Sequence, residues 1–229
     1  MNQGFKVFQA KESKRSAQSW PDGPRLILVG ATILWLVAVC FGLSVLWGYE
    51  STPGVSAQPP RAWPSDSSIP RAQGSATLVM MAHPHCPCTR ASIGELASLM
   101  AHTEGHLKAY VLFLKPEALS DGWERTDLFE SARSIPGVTA LVDADGREAQ
   151  RFHSATSGQT MLYDGEGRLL FTGGITGARG HSGDNAGRSA IESLVRTGAA
   201  EQSESLVFGC PLFNDGSECQ GSKHESNSN

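Results

Sequence analysis

The longest apolar stretch in the chain is LILVGATILWLVAVCFGLSVLWG, Leu26 to Gly48, and it holds no charged residue. About 20 apolar residues suffice to cross the hydrocarbon core of a bilayer, so the stretch predicts one membrane-spanning helix. Later apolar runs are shorter. ATLVMMA, Ala76 to Ala82, has strand length and no alternation, the pattern of a strand buried on both faces. Ile93, Leu96, Ala97 and Met100 then recur at i, i+3, i+4 and i+7, which marks an amphipathic helix. LKAYVLFL, Leu107 to Leu114, predicts a second buried strand, and Trp123 to Arg133 a helix. Pro136-Gly137 turns the chain into the strand VTALVDADG. Gln159 to Tyr163 and Arg168 to Thr172 flank Asp164-Gly165-Glu166-Gly167, the signature of a hairpin. Asp184 or Asn185 can cap a last helix running to about Thr197, with Ile191, Leu194 and Val195 facing inward. Strand, helix, strand, helix, strand, hairpin, helix is the order of an α/β sandwich with a mixed sheet flanked by helices.

The polar stretches set the boundaries. Residues 1–25 hold five Lys or Arg against two acidic residues, a leader of +3; with a total of −4, the rest of the chain carries −7. That balance gives no hint of nucleic-acid binding. A cleaved signal peptide has an apolar region of only about 7–15 residues followed by a small-x-small site. This run is longer and ends in WGYEST, so a retained anchor over 26–48 is expected. The positive-inside rule makes 1–25 a cytoplasmic leader and puts the body outside the cytoplasm, as a periplasmic domain on a single-pass inner-membrane anchor. Residues 49–75, with prolines at 53, 59, 60, 64 and 70, predict an extended spacer. A folded domain over 76–213 and a polar, disordered tail over 214–229 complete the expected organisation.

Between the first strand and its helix lies HPHCPCTR, residues 83–90. Pro87 suits the first position of a helix, where its missing N–H costs nothing. Cys86 therefore falls at the cap and Cys88 in the first turn, where unpaired N–H groups favour an accessible thiolate. Arg90 would add to this. A Cys86–Cys88 disulfide is awkward, because residues i and i+2 of a helix face nearly opposite sides. Cys210, in LVFGCPLF, is a second candidate partner for either thiol. A structural Cys210–Cys219 bridge is the alternative, and the sequence does not choose among the pairings. Cys40 lies within the apolar run as an ordinary apolar residue.

A buried strand feeding a cysteine pair at a helix start, with a later hairpin and last helix, resembles the thioredoxin fold over about Ala76 to Thr197. HPHCPCTR, TSGQTMLYDGEGRLLFTGGITGARGHSGDNAGR and FGCPLF together resemble the membrane-anchored, thioredoxin-like bacterial proteins labelled RedB. Two departures stand out. One residue, Pro87, separates the cysteines instead of two, and Gly158 stands where the thioredoxin family carries a cis-proline. The resemblance implies thiol–disulfide oxidoreductase chemistry on protein thiols or disulfides outside the cytoplasm, with Cys86 and Cys88 catalytic and no cofactor required. It also brings Arg179 and His181, in the loop after the final strand, towards the cysteine helix as supporting or substrate-contact residues, while His83 and His85 can stabilise thiolate or shuttle protons.

Two alternatives remain open. His83, His85, Cys86 and Cys88 are a soft donor set for Cu(I). Thioredoxin-like proteins that deliver copper to cytochrome oxidase add a distant histidine, for which His153 or His181 is a candidate. The third reading is a redox-inactive interaction module.

Overall fold

The structure is a computed structural model that describes residues 22–213 apart from Ala57 and Glu104. The expected cytoplasmic leader up to residue 21, the tail and Cys219 lie outside the described residues. Two compact units are present, Met1–Leu46 and Trp47–Asn229. Helix α1 spans Asp22–Ser51. Its span Gly23–Ser51, with a mean hydropathy of 2.6, is long and apolar enough to cross a membrane.

The second unit contains strand β1 (Ala76–Ala82), helix α2 (Pro87–His102), β2 (Leu107–Lys115), α3 (Asp127–Arg133), β3 (Val138–Ala144), α4 (Arg147–Arg151), β4 (Thr160–Tyr163), β5 (Leu169–Gly173) and α5 (Ala186–Thr197). The strands form one mixed sheet in the order β3-β2-β1-β4-β5. β1 pairs in parallel with β2, Val79 opposite Tyr110, and antiparallel with β4, Met80 opposite Thr160. This is the α/β, thioredoxin-like architecture expected from the sequence. β1 lies at its centre, which is why its side chains are apolar without alternation.

One sheet face presents Leu78, Met80, Ala82, Val111 and Phe113 to Ile93, Leu96 and Leu99 of α2, Leu128 and Phe129 of α3, and Ile191 of α5. The other presents Val79, Met81, Tyr110, Leu112, Met161 and Tyr163. The only helix on that face among the described residues, α4, has five residues and cannot cover it. The Pro-rich segment expected to be an extended spacer does so instead. Ile69 is buried there, and Trp63 meets Phe152 and Tyr163 edge-on at 5.2 Å each. Trp63 N–H donates to Gly167 O at 2.7 Å and Leu169 N–H to Arg61 O at 2.8 Å, while Tyr163 Oη–H donates to Pro60 O at 3.0 Å. Repeated proline suits such a path, since fixed φ values lower the entropy lost on ordering an irregular segment.

Smaller differences have local causes. The helix expected over 123–133 begins at Asp127, because Gly122, at φ 86°, and the extended Thr126 form a turn around Trp123. Helix α4 has no apolar period to announce it. It follows a left-handed Gly146, and the Asp143 carboxylate accepts from the N–H groups of Glu148 and Ala149, each at 2.9 Å. Asn185, rather than Asp184, caps α5, accepting from Arg188 N–H at 2.8 Å.

A three-cysteine candidate site

The thiols meet where three segments converge on the start of α2. Cys86 is the N-cap of that helix, with extended φ −85° and ψ 119°, and Pro87 opens the first turn. Its own N–H donates to His83 O at 3.2 Å, and Thr89 N–H donates to Cys86 O at 3.0 Å, so the cap is fixed by its backbone. Ser157, in the loop before β4, buttresses this turn. Its hydroxyl accepts from His83 N–H at 2.9 Å and shares a proton with the Thr89 hydroxyl at 2.8 Å.

The third segment is the C-terminal strap, residues 203–212. It first extends the β5 edge, with Thr172 N–H to Ser203 O at 2.9 Å and Ser205 N–H to Thr172 O at 3.1 Å. It then crosses the loop before β4, with Ser157 N–H to Cys210 O and Leu212 N–H to Ala155 O, both at 2.8 Å. Buried Val207, Phe208 and Leu212 anchor it. Gly209 is required, because a Cβ there would collide with the Ser157 carbonyl. The strap delivers Cys210 Sγ to 2.8 Å from Cys86 Sγ.

The cluster does not present Cys86 to solvent as expected from its place at the cap. Cys86 is 0% exposed and Cys88 6%, whereas Cys210 is half-buried. The enclosure is nonetheless polar around sulfur. Hydrogen bonds from the Cys210 thiol and then the Cys88 thiol, with the backbone N–H groups of Cys210 and Thr89, hold Cys86 far below the ordinary thiol range and outweigh its burial. Hydrogen bonding to Cys86, then to Cys88, together with burial, pushes Cys210 up. At Cys88 the hydrogen bond with Cys210 acts downward, but Cys86 and burial outweigh it and the thiol is raised. Like charges this close disfavour one another, so a negative charge shared by the cluster is favoured on Cys86 over Cys88 and Cys210.

Other expected residues divide into those at the cluster and those turned away. Gly158, at φ 87°, donates its N–H to Met81 O at 2.7 Å and faces Ser92 Oγ. Arg179 donates through Nη1 to Gly209 O at 2.7 Å and through Nε to Thr52 O at 3.1 Å, which staples the strap beside Cys210; its charge also favours thiolate at Cys88. His83 is buried, and burial holds its imidazole below its ordinary value against the opposing field of Cys86. Its Nδ1 accepts from His85 N–H at 3.2 Å. His85 is exposed, bonds Trp123 O through Nε2 at 3.0 Å, and lies with its ring 4.6 Å from that of Trp123.

Arg90 is exposed. It points outward to pair with Asp127 at 2.5 Å. His181 lies exposed with Nδ1 3.2 Å from Arg179 O, and His153 with Nδ1 3.0 Å from Gln58 O. Among the described residues, no group of three or more His, Cys, Asp or Glu side chains is arranged to hold a metal ion.

Sequence patterns did not single out Ser157, Thr89, Trp123 or Glu95. Buried Glu95 of α2 accepts from Gly183 N–H at 2.7 Å, Asn185 Nδ2 at 3.2 Å and Arg188 Nη1 at 2.6 Å, which ties the glycine-rich loop and α5 to the cysteine helix. The available signal was a carboxylate between Ile93 and Leu96 on an apolar face, since a buried charge demands a partner.

Fold and site thus define a thioredoxin-like domain with three converging cysteines. No family model matches the chain, and no curated protein sequence does. Among solved structures it is similar to a hypothetical protein from Sinorhizobium meliloti 1021, at 19% identity over 70% of this chain and 93% of that one, with a TM-score of 0.52. It is also similar to an uncharacterized conserved protein from Geobacillus kaustophilus, at 16% identity over 73% and 95% of the two chains, with a TM-score of 0.51. A secreted Mycobacterium tuberculosis disulfide oxidoreductase aligns at 15% identity over 54% and 81%, with a TM-score of 0.38. At these identities the likeness to the first two structures is one of fold alone.

Proposed function

We propose that the chain is a membrane-anchored, extracytoplasmic thiol–disulfide oxidoreductase whose chemistry runs through Cys86, with Cys88 and Cys210 as its neighbouring thiols. The observation that carries this reading is a capping cysteine whose sulfur is ringed by hydrogen-bond donors, with another sulfur 2.8 Å away. A disulfide bond is about 2.05 Å long, so a shift of less than about 1 Å links the pair. Sulfurs so close, one of them kept as thiolate, are equipped to exchange disulfides. HPHCPCTR, the glycine-rich loop and FGCPLF support a place among the RedB-labelled proteins, and the +3 leader before the apolar helix supports a cytoplasmic N-terminus.

Copper handling by His83, His85, Cys86 and Cys88 is less favoured. His83 Nδ1 is occupied by the His85 amide and His85 Nε2 by the Trp123 carbonyl, while the thiols turn towards Cys210.

The test is a disulfide-exchange assay with the full chain in detergent micelles and a fluorescent dithiol peptide. Cys86→Ser is expected to abolish turnover. Full activity in both Cys86→Ser and Cys88→Ser would show the reading to be wrong, and rescue of a deletion strain by the double variant would favour a redox-inactive module. Stoichiometric Cu(I) binding above a thiol-only control, lost with either cysteine, would favour the metal reading.

A further inference from the structure

We propose that Cys210 is the sulfur a substrate thiol attacks, so that the chain oxidises protein dithiols through a Cys86–Cys210 disulfide. This rests on the exchange reading above and adds to it a point of entry and a direction of electron flow.

Access comes first. Of the three cysteines at the site, Cys86 is 0% exposed and Cys88 6%, and Cys210 is the most exposed. Exchange at sulfur needs the incoming thiolate in line with the bond that breaks. Attack at the partly exposed Cys210 needs no opening of the site, whereas attack at the fully buried Cys86 does.

The leaving group points the same way. The sulfur that departs most readily is the one that best holds negative charge. Cys86 receives the backbone N–H groups of Cys210 and Thr89 and the Cys88 thiol, so the departing charge finds donors already in place. Attack in the opposite sense would expel Cys210, which is pushed up and stands at the solvent edge.

The strap keeps the two sulfurs in register throughout. Cys210 O accepts from Ser157 N–H at 2.8 Å, and Gly209 O accepts from Arg179 Nη1 at 2.7 Å. Cys210 therefore stays held on its backbone whether its sulfur is bonded to Cys86, to a substrate or to neither.

A substrate thiolate bonds to Cys210 Sγ, the Cys86–Cys210 bond breaks, and its electron pair leaves on Cys86. The substrate's second thiolate then attacks its own sulfur in the mixed disulfide and expels Cys210, which takes up a proton. The substrate has lost two electrons and gained a disulfide, and the site has gained a thiolate and a thiol. An oxidised protein disulfide of the same compartment, exchanging in the reverse sense, restores the Cys86–Cys210 bond.

The experiment uses the full chain in detergent micelles, oxidised with glutathione disulfide and mapped by mass spectrometry. It is then mixed with a peptide carrying a single cysteine, quenched in acid, alkylated and digested. The expected result is a Cys86–Cys210 cross-link before mixing and, after it, loss of that cross-link with the peptide mass on Cys210 and alkylated Cys86. A Cys86–Cys88 or Cys210–Cys219 cross-link, or peptide mass on Cys86 or Cys88, overturns the proposal. The exchange reading then still stands if a two-cysteine peptide is oxidised. No adduct together with no oxidation of that peptide overturns both.

Discussion

The sulfurs of Cys86 and Cys210 stand 2.8 Å apart although 124 positions separate them in sequence. Cys88, two residues away in sequence, lies in the first turn of α2 and hydrogen-bonds the same Cys86 sulfur. The approach of the two sulfurs is thus set by the strap that carries Cys210.

Protonation is the first test. The folded-state value of Cys86 lies below its ordinary 9.0, so its thiolate stabilises the native state fully above about pH 9 and progressively less as pH falls. Cys210 is raised, so its share is present below 9.0 and is lost as pH rises further. The stability of the reduced protein minus that of Cys86→Ser is expected to peak near pH 9 in urea titrations. A difference that is flat with pH would contradict the shared charge.

Loosening the strap should expose the buried sulfur. Arg179→Ala removes the charged hydrogen bond to Gly209 O, a contribution of about 1.5–3 kcal/mol. The expected outcome is faster alkylation of Cys86, by about 10-fold or more if that energy governs strap opening. Gly209→Ala should act in the same direction, because its Cβ meets the Ser157 carbonyl.

The hub at Glu95 predicts a stability effect away from sulfur. Glu95 and Arg188 bond at 2.6 Å with side chains only 4% and 13% exposed. Arg188→Ala leaves a buried carboxylate without its cation, at a cost of about 3–5 kcal/mol in denaturant unfolding. Glu95→Gln with Arg188→Ala together should recover part of that loss.

Residues 59–71 are tested as part of the domain by Ile69→Ala. The side chain is 3% exposed in the second core, so about 2–5 kcal/mol should be lost. A free spacer would lose almost nothing, and equilibrium unfolding separates the two.

What the sequence disclosed was local. ATLVMMA, the Pro87 start of α2 and the period through Ile93, Leu96 and Met100 are written in neighbouring residues, and the junction holding Cys86 followed from them. Ile191 likewise marked α5. The strap was hidden because Val207, Phe208 and Leu212 follow neither helical nor strand spacing; they dock singly into gaps made by distant segments. For the same reason Trp63 and Ile69 looked like punctuation in a proline-rich spacer. Whether Cys86 would be open or enclosed depended on Cys210 arriving from the far end of the chain, which no local pattern encodes. The pairing of Arg90 with Asp127 of α3 joins distant positions that no local pattern links.

The ring of donors around Cys86 also governs electrochemistry. With one of the two linked sulfurs already deprotonated when reduced, opening a Cys86–Cys210 disulfide consumes two electrons but a single proton. The midpoint potential should then slope by about 30 mV per pH unit near neutrality, half the roughly 59 mV of an ordinary dithiol couple. A site built this way grows comparatively more oxidising than its clients as the surroundings turn alkaline.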